Sequence, residues 1–251
     1  MSNFDLLALM APAFVACLFM GLTHIPLGRM VLSRGIVFMD LAVAQAAGFG
    51  ILMAHLFQVH MFLNVPMMVS AVAFACICAV GLYQIRRFET EIQEGLIGCV
   101  FVILASLAIL ILSNDPHGLD ALEALLAGQI LMTSWSEVLS LVPCYLILLG
   151  ILLWVKDSGI GFYLVFAVAI TLSVNLAGIY LVFASLIIPA LASYKKSWRM
   201  AVYVCLISII SGMLISTFSD FATGPLVVCA YAVTGLVFAA AHRFFLERRV
   251  D

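Results

Sequence analysis

Charged residues are scarce in this chain: 10% of its 251 residues are charged, 66% are hydrophobic, and the formal net charge is −2. A typical soluble domain is about 25% charged and roughly 45–50% apolar. The chain therefore has too little polar surface for a soluble fold, too few basic residues for a nucleic-acid interface and too much hydrophobicity for disorder. Its mean hydropathy of +1.25 predicts an all-α, polytopic helical bundle in a membrane.

The chain also lacks the short motifs of familiar catalytic sites. The sequence contains no Walker A, HExxH, GxSxG or CxxC pattern. We therefore expect a protein that is not an enzyme, that does not hydrolyse ATP by itself and that holds no covalently bound cofactor. The cysteines all lie in apolar runs, so we interpret them as small buried residues. No basic residue precedes the first apolar run, so we expect this run to remain as a span and not to be removed as a signal peptide.

Long apolar runs are what the sequence has in abundance. A span needs about 20 apolar residues to cross about 30 Å of hydrocarbon. By this length, we expect a single transmembrane domain, 1–251, with about nine spans. They are 6–27, 36–57, 65–85, 92–112, 136–155, 160–175, 178–193, 200–218 and 225–241. Asn175 and Gly178 mark the break between the sixth and seventh. The segment 119–132 is apolar but short, which favours an interfacial or re-entrant helix.

The basic residues fall between alternate spans. With about nine spans and a segment 119–132 that does not cross, all 11 Lys and Arg residues lie on one side of the membrane. The excess of Lys and Arg in cytoplasmic loops identifies this side as the inner one. The amino terminus is then outside and the carboxyl terminus is in the cytoplasm.

The outer face then carries acids and histidines but no base. Such a face concentrates cations, although outer loops also lack Lys and Arg simply because of the insertion rule. The acids are Asp5, Asp115, Asp120, Glu123, Glu137 and Asp220. A mixture of imidazoles and carboxylates suits zinc or manganese. The candidate metal ligands on or near this face are His55, His60, Asp115, His117 and Asp120.

Asp40 and Gln45 lie within the second span, where polar and ionisable groups are costly and therefore point to function. Asp40 either marks an ion path or pairs with Arg34 at the membrane interface. Gln45 lies about 140° around the helix from Asp40, so the two need a second helix to complete one ligand face. Both are candidate metal ligands. We interpret His24 as a hydrogen-bonded histidine near the inner end of the first span.

Three stretches resemble the permease subunits of bacterial zinc and manganese ABC transporters, the metal-type ABC-3 family. They are PLG at 26–28 followed by VLSRGIVFMDLAVA at 31–44, GIYLVFASLIIPALA at 178–192, and TGPLVV at 223–228. Weaker similarities are EGLIG at 94–98 and LLAGQIL at 125–131. The resemblance implies a multi-pass permease of the bacterial inner membrane that moves zinc or, as the next candidate, manganese.

The resemblance also implies partners: a second permease copy in a homodimer or pseudo-dimer, a cytoplasmic ATPase and a periplasmic metal-binding protein. It implies a metal path between subunits, with Asp40 beside it. Two departures stand out, since Ala44 replaces a histidine that many members have, and the inner stretch that carries the family's coupling helix is reduced to 156–159. A metal permease or channel without an ATPase is therefore an alternative. A membrane anchor or redox subunit is another, with His24 and His55 as the histidines available to a haem.

Overall fold

The computed structural model describes residues 3–57, 67–113, 117–154, 159–194, 197–219 and 221–247, and over these residues the chain is helical, without strands. The helices are α1 (Asn3–Arg34), α2 (Met39–Leu56), α3 (Met67–Ile85), α4 (Thr90–Leu112), α5 (Gly118–Ala127), α6 (Trp135–Trp154), α7 (Gly159–Ala192), α8 (Trp198–Phe218) and α9 (Thr223–Glu247). Eight helices within the described ranges are long and apolar enough to cross a membrane. A helix satisfies its own backbone hydrogen bonds, as lipid requires. The predicted all-α membrane bundle is confirmed.

The longest helix, α7, folds back on itself at Gly178. This glycine has φ 75° and ψ 164°, which no helix contains. The two ring nitrogens of His24 hydrogen-bond Ser173 and Ser185, at 2.9 and 2.7 Å. A continuous helix would separate these serines by about 18 Å. The halves α7a (159–177) and α7b (179–192) therefore run antiparallel, and they correspond to the predicted sixth and seventh spans.

The contacts of α1 agree with this reversal. Along α1 from His24 to Arg34, the partners on α7a run backwards, from Ser173 to Phe162. The partners on α7b run forwards instead, since Gly28 touches the backbone of Leu186. One half of α7 is thus antiparallel to α1 and the other is parallel to it.

Glycines hold the turn of α7 against neighbouring helix ends. Gly178 packs backbone to backbone on Gly128, which follows α5 and has φ 71°. Gly224, at the start of α9, touches the carbonyl of Ala127. A Cβ at any of these glycines would collide with backbone, so only glycine fits. The stretches 125–131, 178–192 and 223–228, all of which carry the family resemblance, therefore meet at one place.

The segment predicted to be re-entrant is α5 followed by a 3₁₀ turn at Ile130–Met132. At 10 residues, α5 is about 15 Å long, which is too short to cross the membrane. The next helix, α6, begins with a capping box. The Ser134 N–H and hydroxyl donate to the Glu137 carboxylate, and the Glu137 N–H donates to the Ser134 hydroxyl.

Helices α2 and α7 form the centre of the bundle. α2 packs on α3, α4 and α7, and α7 also packs on α1, α3 and α9. The peripheral helix α4 is the most apolar and least buried of the candidate spans in the described part of the chain. α1 contains Pro26 and continues beyond the predicted end of the first span, at residue 27, as far as Arg34.

Several basic residues that the sequence places on the inner side lie at the same end of the bundle. Arg34 lies over the Phe162 ring, 3.7 Å from its centre, and Arg86 lies over the Tyr83 ring at 3.9 Å. Both arginines border a cavity of about 370 Å³. Cation–π contacts of this kind keep a guanidinium partly buried without removing it from water. The turn of α7 at Gly178 marks the opposite end of the bundle.

Candidate functional site

Two carboxyl groups lie where α2 and α4 begin: Asp40 is buried, and Glu94 is half-buried with its carboxylate oxygens shielded from solvent. Asp40 is 1% exposed, its Oδ1 accepts a hydrogen bond from the Leu41 N–H at 2.9 Å, and its Oδ2 has no partner in the described structure. Both Glu94 carboxylate oxygens are buried without a hydrogen-bond partner in the same sense. The amides of Val37 and Phe38, in the turn between α1 and α2, lie beside Glu94. Asp40 Oδ2 is therefore without a hydrogen bond, whereas the two backbone amides interact with the Glu94 carboxylate.

The two acids repel each other through space. A buried carboxylate is stable only when a proton, a cation or hydrogen bonds compensate its charge. Backbone amides compensate Asp40 Oδ1 and act on the Glu94 carboxylate, whereas Asp40 Oδ2 has no partner in the described structure. The pair is thus suited to bind a cation, and its oxygen donors fit divalent metals such as manganese, zinc or magnesium.

Glu94 is a site residue that the sequence analysis missed. Its signal was the similar stretch at 94–98, together with its position one turn into an apolar helix. Asp40, by contrast, was predicted. The Arg34 guanidinium lies over the Phe162 ring, and Asp40 Oδ2 has no hydrogen-bond partner in the described structure.

The other predicted ligands do not join this pair. Gln45 is 4% exposed and lies in the middle of α2, whereas His55 is exposed at the far end of that helix. Asp40 and His55 are separated by about 22 Å along α2. His117 and Asp120 do meet, with Nδ1 and Oδ2 3.6 Å apart, and both side chains are exposed. His60 and Asp115 lie outside the described residues.

These candidates form no multidentate metal site by themselves. In the described ranges, no three His, Cys, Asp or Glu side chains lie close enough together to hold a metal ion. The Asp40–Glu94 pair therefore offers two of the four to six ligands that a divalent metal usually takes. A metal bound there needs further ligands from water, from backbone or from another chain.

A second buried polar cluster surrounds His24. Both ring nitrogens are hydrogen-bonded to serines of α7, and Ser173 also meets the Tyr145 hydroxyl at 3.0 Å. The prediction that His24 is hydrogen-bonded is confirmed, but its predicted place near a helix end is wrong, because α1 continues to Arg34. With both nitrogens engaged, His24 has no free lone pair for a haem iron, which weakens the redox alternative.

Comparisons with known proteins agree with this architecture. The sequence matches the model of the ABC 3 transport family over residues 7–158 and 155–242. The fold is similar to a solved structure, PsaBC from Streptococcus pneumoniae in complex with Fab, with a TM-score of 0.71 and 18% sequence identity. That match covers 94% of this chain and 93% of the other. A comparison with curated proteins gives no match.

Proposed function

The chain belongs to the ABC 3 transport family, and we propose that it is the membrane permease subunit of an importer for divalent metal ions in the bacterial inner membrane. The observation that carries this proposal is the Asp40–Glu94 pair, in which Asp40 is buried and its Oδ2 has no partner in the described structure. Ionisable groups within a span are costly and point by default to a functional site such as an ion path. We place the pair beside the path of the transported metal.

The choice of metal rests on the donors. The sequence favoured zinc before manganese because of His55, His60 and His117. In the structure the Asp40–Glu94 pair has oxygen donors, and His55 lies at the other end of α2. Oxygen donors favour manganese, whereas zinc prefers nitrogen and sulfur. We therefore propose both metals as cargo and rank manganese first.

We propose that a second copy of the chain completes the site through α4. The face of α4 at Gly95 and Gly98 has open space beside it. A surface cavity of about 520 Å³ there is also lined by Phe38 and Leu41, close to Asp40 in sequence. Small residues let membrane helices approach closely. Two copies packed on this face would bring two acid pairs near one axis.

The energy source is proposed to be a cytoplasmic ATPase, with a periplasmic protein delivering the metal. The end of the bundle at Arg34 and Arg86 is proposed to face the cytoplasm, because Lys and Arg concentrate on that side. Phe38 and Phe88 are half-exposed near this end and offer apolar contacts to a partner. With the loop at 156–159 so short, we propose that the turn at 86–89 carries much of the ATPase contact.

The test is metal uptake into vesicles that contain the purified chain. With the ATPase and ATP, we expect uptake of Mn²⁺ or Zn²⁺, and we expect Asp40→Asn to abolish most of it while the protein remains inserted. Glu123→Gln is the control, because Glu123 is an exposed acid on α5 that is not among the predicted metal ligands. Normal uptake by the Asp40 variant would show that the pair does not serve the path.

The short loop supports a second candidate, a metal permease or channel that works without an ATPase. It predicts uptake that follows the metal gradient and does not require ATP. Copurification of a stoichiometric ATPase with the chain would count against it.

A further inference from the structure

A polar cavity of about 370 Å³ lies at the end of the bundle that carries Arg34 and Arg86. Thr90, Gln93 and Tyr163 also contribute polar groups to its lining. We propose that this cavity holds the phosphate of an anionic phospholipid, whose acyl chain occupies the neighbouring groove between α3 and α4. The lipid is distinct from the cargo, so the site does not depend on which ion the chain carries or on the energy source.

Two buried side chains offer hydrogen-bond donors to this cavity. Gln93 is 7% exposed and Tyr163 is 3% exposed, and both line the cavity. Neither the Gln93 amide nor the Tyr163 hydroxyl makes a hydrogen bond within the described chain, and neither is sealed off from the cavity. The Tyr163 ring is held by edge contacts with Tyr83 and Phe162, at 5.7 and 5.6 Å between ring centres. Packing therefore fixes these donors beside a space that a ligand can fill.

The cavity is also positively charged. The Arg86 and Arg34 guanidinium groups stack on aromatic rings, at 3.9 and 3.7 Å from the ring centres, and Arg86 makes no ion pair with a described acid. The described residues that line the cavity include no acid, since Glu89 and Glu91 are exposed and lie outside its lining. A guanidinium presents a planar set of N–H groups that matches phosphate oxygens.

Helix ends do not decide the charge of this cavity. α4 and α7 begin near it, whereas α1 and α3 end near it, so their partial charges offset one another. The positive charge therefore comes from the two guanidinium groups.

An apolar groove of about 540 Å³ between α3 and α4 adjoins the cavity. Ile85 lines the groove and is followed directly by Arg86 in the cavity. On α4, Leu96 lines the groove about one turn after Gln93, which lines the cavity. A phosphate site that continues into an apolar groove matches a phospholipid better than it matches free phosphate, which has no apolar part.

The cavity lies at the level where headgroups are expected. Trp154, the last residue of α6, is 91% exposed and lies shortly before Gly159, which lines the cavity. Exposed tryptophans concentrate at the membrane–water interface. Basic pockets between membrane helices at this level bind the headgroups of anionic lipids.

The experiment is native mass spectrometry of the purified full chain, titrated with phosphatidylglycerol or with phosphatidylcholine of the same acyl chains. We expect phosphatidylglycerol to bind at least about fivefold more tightly, because it carries a net charge. Arg86→Gln should lower its affinity by at least about tenfold through the loss of a charged hydrogen bond. Arg87→Gln is the matched control, because Arg87 is exposed and is not among the described residues that line the cavity.

Two further variants test the donor and the groove. Tyr163→Phe keeps the ring contacts and removes the hydroxyl, so the affinity should fall by roughly two- to tenfold. Gly81→Leu fills the groove, because Gly81 lines it and has open space beside it. This variant should bind phosphatidylglycerol more weakly than the wild type, and inorganic phosphate should not displace the lipid from the wild-type chain.

Each result either supports or overturns the lipid site. Equal affinities for the two lipids, or equal losses in the Arg86 and Arg87 variants, would overturn it. If Arg86→Gln does not melt like the wild type, Tyr163→Phe decides instead, and its normal binding would overturn the site. Displacement by inorganic phosphate, with normal lipid binding by Gly81→Leu, would show a site for free phosphate and contradict the lipid assignment. Failure of metal uptake in vesicles would leave these results unchanged.

Discussion

At the scale of single residues, Asp40 and Glu94 distinguish the candidate site from the rest of the bundle interior. Asp40 was predictable from the sequence, since a carboxyl group one turn into an apolar span is conspicuous. Glu94 was not, because its burial depends on how the turn at 35–38 folds over the start of α4. Glu94 joins Asp40 in a pair only because the turn at 35–38 contacts its carboxyl group in the folded chain.

Replacing Glu94 with glutamine should reduce metal uptake by at least about tenfold, which corresponds to about 1.4 kcal/mol. The charge is lost while the size is kept, so the protein should insert and fold normally. Initial uptake rates in vesicles measure the effect. Glu91→Gln is the control, because Glu91 lies on the same helix but is exposed. Equal rates for both variants would remove Glu94 from the site.

His24→Ala should destabilise the bundle by about 1–2 kcal/mol. The substitution removes two hydrogen bonds that tie α7a and α7b to α1. The loss is moderate because each serine hydroxyl also lies within hydrogen-bonding distance of a backbone carbonyl of α7, to which it can donate once the imidazole is removed. Thermal unfolding in detergent measures it, with the exposed His55→Ala as control. If the two variants melt together, His24 does not hold the halves of α7.

Among the helices, α7 separates most clearly what the sequence pattern predicts from what only the folded structure shows. Its break was predictable because the stretch at 160–193 suits neither one span nor two, and Gly178 stood where a helix would end. The neighbour that makes the turn tight was not, since Gly128 lies 50 positions earlier in the sequence and meets Gly178 only after folding. A helix and its end can be predicted from neighbouring residues in the sequence, whereas a contact between two distant glycines depends on the folded structure.

Gly178→Ala should be strongly destabilising. Its backbone conformation costs a side-chain-bearing residue about 1–3 kcal/mol, and the added Cβ also meets the backbone of Ala127 and Gly128. Gly150→Ala is the matched control, because Gly150 is helical and has open space beside it. There alanine should be neutral or stabilising by about 0.5–1 kcal/mol. The melting temperature of the Gly178 variant should fall well below that of the wild type, whereas that of the Gly150 variant should stay the same or rise. Equal melting temperatures for the two variants would contradict the tight turn.

For the molecule as a whole, the arrangement of charge was readable from the sequence, but the surfaces where it meets other molecules were not. Sorting Lys and Arg by side predicted that the inner loops gather at one end, and the structure brings Arg34 and Arg86 to one cavity. Which helix faces a second copy does not follow from periodicity, because an apolar helix that faces lipid and one that faces a partner have the same composition.

The proposed dimer through α4 predicts a specific crosslink. Cys99 is exposed on this face, contrary to the predicted burial of the cysteines, and it lines the same cavity as Gly95 and Gly98. A variant with Cys99 as its single cysteine should form a disulfide-linked dimer in membranes treated with a mild oxidant, as seen on a non-reducing gel. A variant with Cys229 alone, exposed on α9, is the control and should stay monomeric. Crosslinking through Cys229 and not Cys99 would move the interface to α9.

The reversal at Gly178 also has a consequence for how the chain enters the membrane during synthesis. The half after the turn, 179–192, is about 21 Å long, whereas the hydrocarbon core is about 30 Å thick. We therefore do not expect the insertion machinery to recognise this half as a separate transmembrane segment. The first half, 159–177, is about 28 Å long and can be inserted alone. We therefore expect the second half to enter the lipid only by pairing with the first, so that a nascent chain ending within 179–192 would be anchored by α7a alone.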